Sequence, residues 1–220
     1  QATGAVKNVV GLKLDNVVKL IRGSRGTAVR LRILPAGASD AARTKVIRLV
    51  RDKVELKERD ASLEVRELLT SGGKTVKVGM INVPAFYIDG DAVRRGDPNA
   101  NRVSTDVEKL LAEAKEGGAR GVLIDMRFNG GGSLDEAVAL AGLFVDAGPI
   151  VQVRDSFDKV DVLEDPDPKL AYGDPVVVLT GPFTASAAEI FAAALQDYGR
   201  GLVVGTPATH GKGTVQSFYG

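Results

Sequence analysis

Residues 121–136 read GVLIDMRFNGGGSLDE, and this stretch decides the fold. It opens with Gly121–Asp125, a short apolar run ending in an acid, as strands of buried parallel sheets do. A glycine loop follows, and Leu134–Val145 then has helical periodicity. The same rhythm extends in both directions. Upstream, Val76–Val83 reads as a strand, and Thr105–Lys115 as a helix with Val107, Leu110, Leu111 and Ala114 on one face. Downstream come a strand at Pro149–Val153, a strand at Val176–Thr180, a helix at Ala187–Tyr198 and a strand at Leu202–Gly205. Alternating strands and helices predict an α/β domain whose parallel sheet is covered on both faces. Asp155–Asp174 between them is polar and proline-bearing, and reads as a surface excursion.

The first 54 residues differ in kind. Leu14, Val17, Val18 and Ile21 recur at helical spacing and stop at Gly23. Two strand-like runs follow, Thr27–Leu34 (TAVRLRIL) and Thr44–Val50 (TKVIRLV), with a turn at Pro35–Asp40. The charged stretch Arg51–Glu67 has no clear period and reads as a connector. Charge divides the same way: residues 1–54 carry 12 Lys and Arg against 3 Asp, residues 55–220 carry 17 against 25 acids. A basic module joined to an acidic one predicts two domains. The basic part lacks aromatic residues for stacking and any zinc or RNA-binding motif, so it reads as a solvated surface and nucleic acid is not an expected partner.

Composition removes several chemistries. Cysteine is absent, which excludes disulfides, thiolate metal sites and a cysteine nucleophile. One histidine, His210, argues against a histidine metal centre, and no metal or cofactor is expected. The longest apolar run, Ala137–Val145, is too short to span a bilayer. No basic and apolar leader opens the chain, so an export signal is expected to be absent or already removed.

Three turns sit where strands hand over to helices, where α/β folds collect ligands. In Asp125–Ser133, Gly130, Gly131 and Gly132 can aim backbone N–H groups at a phosphate or an oxyanion. The same residues also fit a tight turn before a helix capped by Ser133 and Glu136, and spacing alone does not choose. In Thr180–Glu189, Ser186 lies between alanines at a helix start, where it fits an accessible nucleophile or a capping box with Glu189. The Gly-x-Ser-x-Gly elbow is missing, which argues against that route to a nucleophile. In Gly205–Thr214, five residues separate Gly205 from Gly211 and a glycine follows Lys212, so the phosphate-binding P-loop pattern fails. A serine needs a base, and only His210 or a lysine could serve. A lysine does so only when burial keeps it neutral.

Thr184–Phe191 (TASAAEIF), Gln196–Arg200 (QDYGR), Val204–Gly205 and Gly211–Gln216 (GKGTVQ) closely resemble the tail-specific, or C-terminal processing, peptidases. Ile124–Glu136 is similar to that family's glycine motif, and Gly148–Asp155 (GPIVQVRD) to its bacterial periplasmic members. The first module, with Lys13–Arg22 as its helix, resembles the second half of a PDZ domain.

The resemblance implies a crotonase-like (ClpP-like) α/β peptidase core at 76–220, truncated at its C-terminus, a connector at 55–75 and a partial PDZ domain at 1–54. It implies a serine endopeptidase with Ser186 as nucleophile, Lys212 as general base and Gln216 orienting the lysine. Gly131 or Gly132 together with the Ala187 amide would form the oxyanion hole, and Asp197 would have a supporting, structural role. Substrates would be proteins with unstructured apolar C-termini, an adaptor protein could take part, and the setting would be the bacterial periplasm, in association with the inner membrane if attached there. Part of the wall that keeps the lysine neutral would lie outside residues 1–220, so this fragment is expected to have little activity by itself. Ala188 stands where many members have a second serine, and the loop before Lys212 is one residue longer than usual. Two other readings remain at this stage: an inactive PDZ and peptidase-fold binding module, and a nucleotide-binding α/β protein.

Overall fold

A computed structural model describes residues 6–35, 44–52, 60–167 and 169–216. The chain forms two compact units, Gln1–Leu56 and Lys57–Gly220. In the first, helix α1 (Leu14–Ile21) precedes an antiparallel ribbon of β1 (Ala28–Ile33) and β2 (Lys45–Val50), with Ala28 opposite Val50. Arg51 fastens the end of α1 to this ribbon. Its Nε donates to the Ile21 carbonyl oxygen at 2.6 Å and its Nη1 to Thr27 Oγ1 at 2.9 Å. The apolar face of α1 is only half-buried, and none of this unit's described residues is fully buried. Most of the turn expected at Pro35–Asp40 lies outside the described residues.

The second unit is built on a five-stranded sheet in the order β3-β4-β5-β8-β9. Its strands are β3 (Ser62–Leu69), β4 (Thr75–Asn82), β5 (Val122–Asp125), β8 (Val176–Thr180) and β9 (Leu202–Gly205). β3 pairs antiparallel with β4, and the other neighbours are parallel. Helix α3 (Val103–Glu116) connects β4 to β5, and α5 (Ala187–Asp197) connects β8 to β9. Helix α4 (Leu134–Gly142) and a ribbon of β6 (Pro149–Arg154) with β7 (Val160–Glu164) lie between β5 and β8. A short helix, α2 (Gly90–Arg94), precedes α3 and is capped by Asp89, whose side chain accepts from Ala92 N–H.

Four expectations need correction. The connector predicted at 55–75 contains β3, an edge strand whose polar residues face water while the β4 backbone satisfies its hydrogen bonds. The predicted excursion at Asp155–Asp174 contains β7, and its partner β6 lies in a separate ribbon and not in the main sheet. The sheet is also not fully covered on both faces. Ile81, Val122, Ile124, Val176 and Val178 are buried, with Val107, Leu140, Phe191 and Leu195 in the same core. Met80, Leu123, Val177 and Leu179, on the opposite face, stay partly exposed.

The fourth concerns the capping box at α4. Ser133 does accept from the Glu136 N–H, but the Ser133 N–H donates to the Phe86 carbonyl oxygen. The fully buried Glu136 carboxylate turns instead to the start of α3. It accepts from Ser104 N–H at 3.0 Å and from the Ser104 hydroxyl at 2.7 Å, and it lies 3.2 Å from Arg102 Nε. One carboxylate therefore serves two helix N-termini, where negative charge is favoured. Glu136→Ala is expected to cost about 3 kcal/mol, because it strands buried donors. Glu136→Gln, which keeps an acceptor, should cost about 1 kcal/mol. Urea unfolding of both variants measures this, and equal stability of Glu136→Ala and wild type would contradict it.

Candidate active site

The loops that follow β5, β8 and β9 leave the C-terminal ends of three adjacent parallel strands. Buried polar side chains lock the first two together. Thr184, fully buried, donates through Oγ1 to the Met126 carbonyl oxygen at 2.8 Å and accepts from Gly181 N–H at 2.9 Å. Ala185 N–H donates to the Asn129 carbonyl oxygen at 3.0 Å. Asn129, also fully buried, donates through Nδ2 to the Val83 carbonyl oxygen and accepts from Gly131 N–H at 2.8 Å. At the end of β5, Arg127 pairs with Asp125, and its guanidinium holds the Asp125 carboxyl below the usual range.

The glycine turn rests directly on Ser186. A Cβ on Gly131 would lie 2.8 Å from Ser186 Cβ and 3.1 Å from Ala187 N, and one on Gly132 would lie 2.2 Å from the Phe86 carbonyl oxygen. Both have positive φ, 99° and 148°, so these positions exclude other residues on two counts. The two amides differ. Gly131 N–H is committed to Asn129, which removes it from the pair of expected donors. Gly132 N–H and Ala187 N–H have no hydrogen-bond partner among the described residues.

Ser186 stands at φ 58° and ψ −119°, where a non-glycine residue is strained. The sharp strand-to-helix turn associated with nucleophilic serines is thus present without its glycines. Small residues achieve the same crowding, since Ala185, Ala187 and Ala188 are all buried.

Glu189 joins this turn to the third loop. Its carboxylate accepts from Ser186 N–H (2.7 Å), Lys212 N–H (2.9 Å), Gly211 N–H (2.6 Å) and the Thr209 hydroxyl (2.5 Å). Burial pushes its pKa up, but these hydrogen bonds prevail and hold it below the ordinary carboxylate value. The sequence signalled Glu189 as half of a capping box; its reach to a loop 20 residues away has no local signature.

The remaining expected residues are placed differently. Lys212 is exposed, and only its backbone N–H is tied to the serine turn, through Glu189. Among the described residues, neither its amine nor the side chain of the exposed Gln216 makes a hydrogen bond. Asp197 is exposed at the far end of α5, about 16 Å from Ser186 along the helix axis, and among the described residues it makes no side-chain hydrogen bond or ion pair that would give it the supporting role expected of it. His210 donates its backbone N–H to the Thr184 carbonyl oxygen, and its imidazole has no partner among the described residues. Among those residues no cluster of His, Asp and Glu suits a metal ion, and no helix is long and apolar enough to cross a membrane.

This geometry has relatives. The chain is 43% identical to the tail-specific protease of Haemophilus influenzae over 216 residues, 98% of this chain and 28% of that protein. It is 31% identical to the chloroplastic carboxyl-terminal-processing peptidase 2 of Arabidopsis thaliana over 209 residues, 94% of this chain and 36% of that one. Among solved structures it is similar to a photosystem II D1 C-terminal processing protease, with a TM-score of 0.58 and 28% identity across 94% of this chain and 50% of that one. The chain thus spans between about a quarter and a half of the length of these relatives. Residues 77–220, which hold the glycine turn, Ser186 and the Glu189 hub, match the model of peptidase family S41, and the chain belongs to that family.

Proposed function

We propose that this chain carries the acyl-transfer site of a serine-type C-terminal processing endopeptidase, with a Ser186–Lys212 dyad. The observation that carries the reading is the strained backbone of Ser186 beside two unpaired amides, Gly132 and Ala187. Ser186 Oγ attacks the scissile carbonyl carbon as its proton passes to the neutral Lys212 amine. The oxyanion accepts from the Gly132 and Ala187 N–H groups at the N-terminus of α5, whose dipole favours negative charge. The lysine then protonates the leaving amine, and water hydrolyses the acyl-enzyme. Gln216 orients the amine. Because Lys212 is exposed over the described residues, a bound peptide or further polypeptide must exclude water from it.

Substrates in this reading are proteins with unstructured apolar C-termini, captured with help from a partial PDZ domain in the first unit and, where needed, an adaptor. The relatives' names support processing at C-termini, and the similarity to bacterial tail-specific proteases supports a periplasmic setting.

The reading is tested in the full-length protein with an unfolded substrate and a fluorophosphonate probe. Ser186→Ala should abolish cleavage and labelling. Lys212→Arg, which cannot deprotonate, should lower kcat by about 10³-fold or more. His210→Ala should stay within about threefold of wild type. A His210 variant as inactive as Ser186→Ala would overturn the lysine assignment, and labelling without cleavage would favour a binding module.

Glu189 gives a pH test. Its folded-state pKa is held below the ordinary carboxylate value, so its contribution is present above the unfolded value and is lost as pH falls through the folded one. Wild-type stability should therefore decline on acidification below about pH 4.5 more steeply than that of Glu189→Gln. At pH 7 the Gln variant should lose about tenfold in kcat, because its amide can replace only part of the acceptor set. Thermal melts against pH and steady-state kinetics measure both. Valine at Gly131 or Gly132 should lower stability as well as turnover, because a Cβ at either position would collide with backbone atoms.

A further inference from the structure

Phe128 and Phe183 are large exposed aromatic residues on the loops that lead to the glycine turn and to the candidate nucleophile. Phe128 is 76% exposed and Phe183 64% exposed, and their rings stack with centroids 6.0 Å apart and planes at 21°. They come from different loops, one after β5 and one after β8. The backbone beneath them is fixed. Met126, Asn129 and Thr184 are fully buried, and the Thr184 hydroxyl ties the two loops by its bond to the Met126 carbonyl oxygen. Single exposed apolar residues are ordinary on protein surfaces. Two stacked rings on loops held by buried hydrogen bonds are a preorganised apolar platform.

Their sequence position sets its reach. Phe183 precedes Ser186 by three residues, and Phe128 precedes the glycine turn, whose Gly131 touches Ser186. Three residues of extended chain span at most about 11 Å. An extended substrate therefore crosses the same distance within about three residues of its scissile bond.

We propose that the Phe128–Phe183 pair is a specificity-determining platform that receives an apolar side chain of the peptide substrate close to the scissile bond. This rests on the serine-peptidase reading above. The platform selects for local sequence around the cut, separately from any recognition of the substrate's C-terminus. The occupant is a peptide side chain because the rings adjoin the loops that carry Ser186, Gly132 and Ala187, where a scissile peptide must lie.

The test uses the full-length protein with matched fluorogenic peptides that carry Leu or Phe, or else Gly or Ser, on both sides of the cleaved bond. The variants are Phe128→Ser, Phe183→Ser and the double substitution, with Ser186→Ala as control. The double variant should lose about tenfold more kcat/KM on the apolar-flanked peptides than on the Gly- and Ser-flanked ones, mainly through KM. Each single variant should lose a smaller share of that preference. Its melting temperature should stay within about 2 °C of wild type, since exposed residues contribute little to folding. A peptide preference identical to wild type would overturn the platform. A drop in melting temperature with equal losses on both peptide classes would assign the rings to an interface within the protein, and would also overturn it. The controls separate the two levels. Cleavage that persists in Ser186→Ala would overturn the serine reading, whereas its loss there with an unaltered preference in the double variant would overturn the platform alone.

Discussion

Four hydrogen bonds converge on the Glu189 carboxylate, and the arrangement of the site depends on them. They join the strained N-terminus of α5 to Thr209, Gly211 and Lys212, in a loop that is also tied back where His210 N–H meets the Thr184 carbonyl oxygen. The carboxylate meets three backbone donors and one hydroxyl, so its charge is fully used and its proton affinity falls. A carboxylate with that many partners orients what it touches. It fixes the backbone at Lys212, whose exposed side chain makes no hydrogen bond among the described residues.

A second layer of buried polar groups makes that arrangement rigid. Asn129 and Thr184 have no exposed surface, and each satisfies backbone groups from a different part of the chain. Unpaired, such groups would each cost about 1–3 kcal/mol, which makes the bonded geometry hard to leave. The strain at Ser186, also on the order of 1–3 kcal/mol, is held by that network and by the alanines packed around it. Buried bonding at the base and two amides left without a partner among the described residues suit a site that stabilises charge without reorganising.

The two units differ in how they are stabilised. The larger one has a continuous core of buried aliphatic and aromatic residues, with Phe144 packed edge-on to both Phe191 and Tyr172. The smaller has a helix, a ribbon and one arginine that binds both, but no fully buried residue among those described. Units of this size bury a smaller fraction of their surface on folding. Its helix and two strands fall where the periodicity of its sequence predicts them.

The sequence by itself determined the elements whose signal is local. Val176–Thr180 and Leu202–Gly205 are bounded by turn residues and contain little but apolar ones, and both strands fall where that pattern predicts. The motifs around Ser186 and the glycine turn were legible for a similar reason: each is a fixed string of neighbouring residues. Only the tertiary structure decided which turn amide is open, where the Glu136 and Glu189 carboxylates go, and that Phe128 meets Phe183. Each of these depends on an atom from a distant segment coming within about 3–6 Å, and helical or strand periodicity records nothing beyond a few residues. β3 and β7 escaped notice on the same ground. They mix charged residues with apolar ones such as Val65, Leu68, Leu69, Val160 and Val162 that stay exposed, and they are strands because neighbouring backbones, β4 and β6, supply the hydrogen bonds.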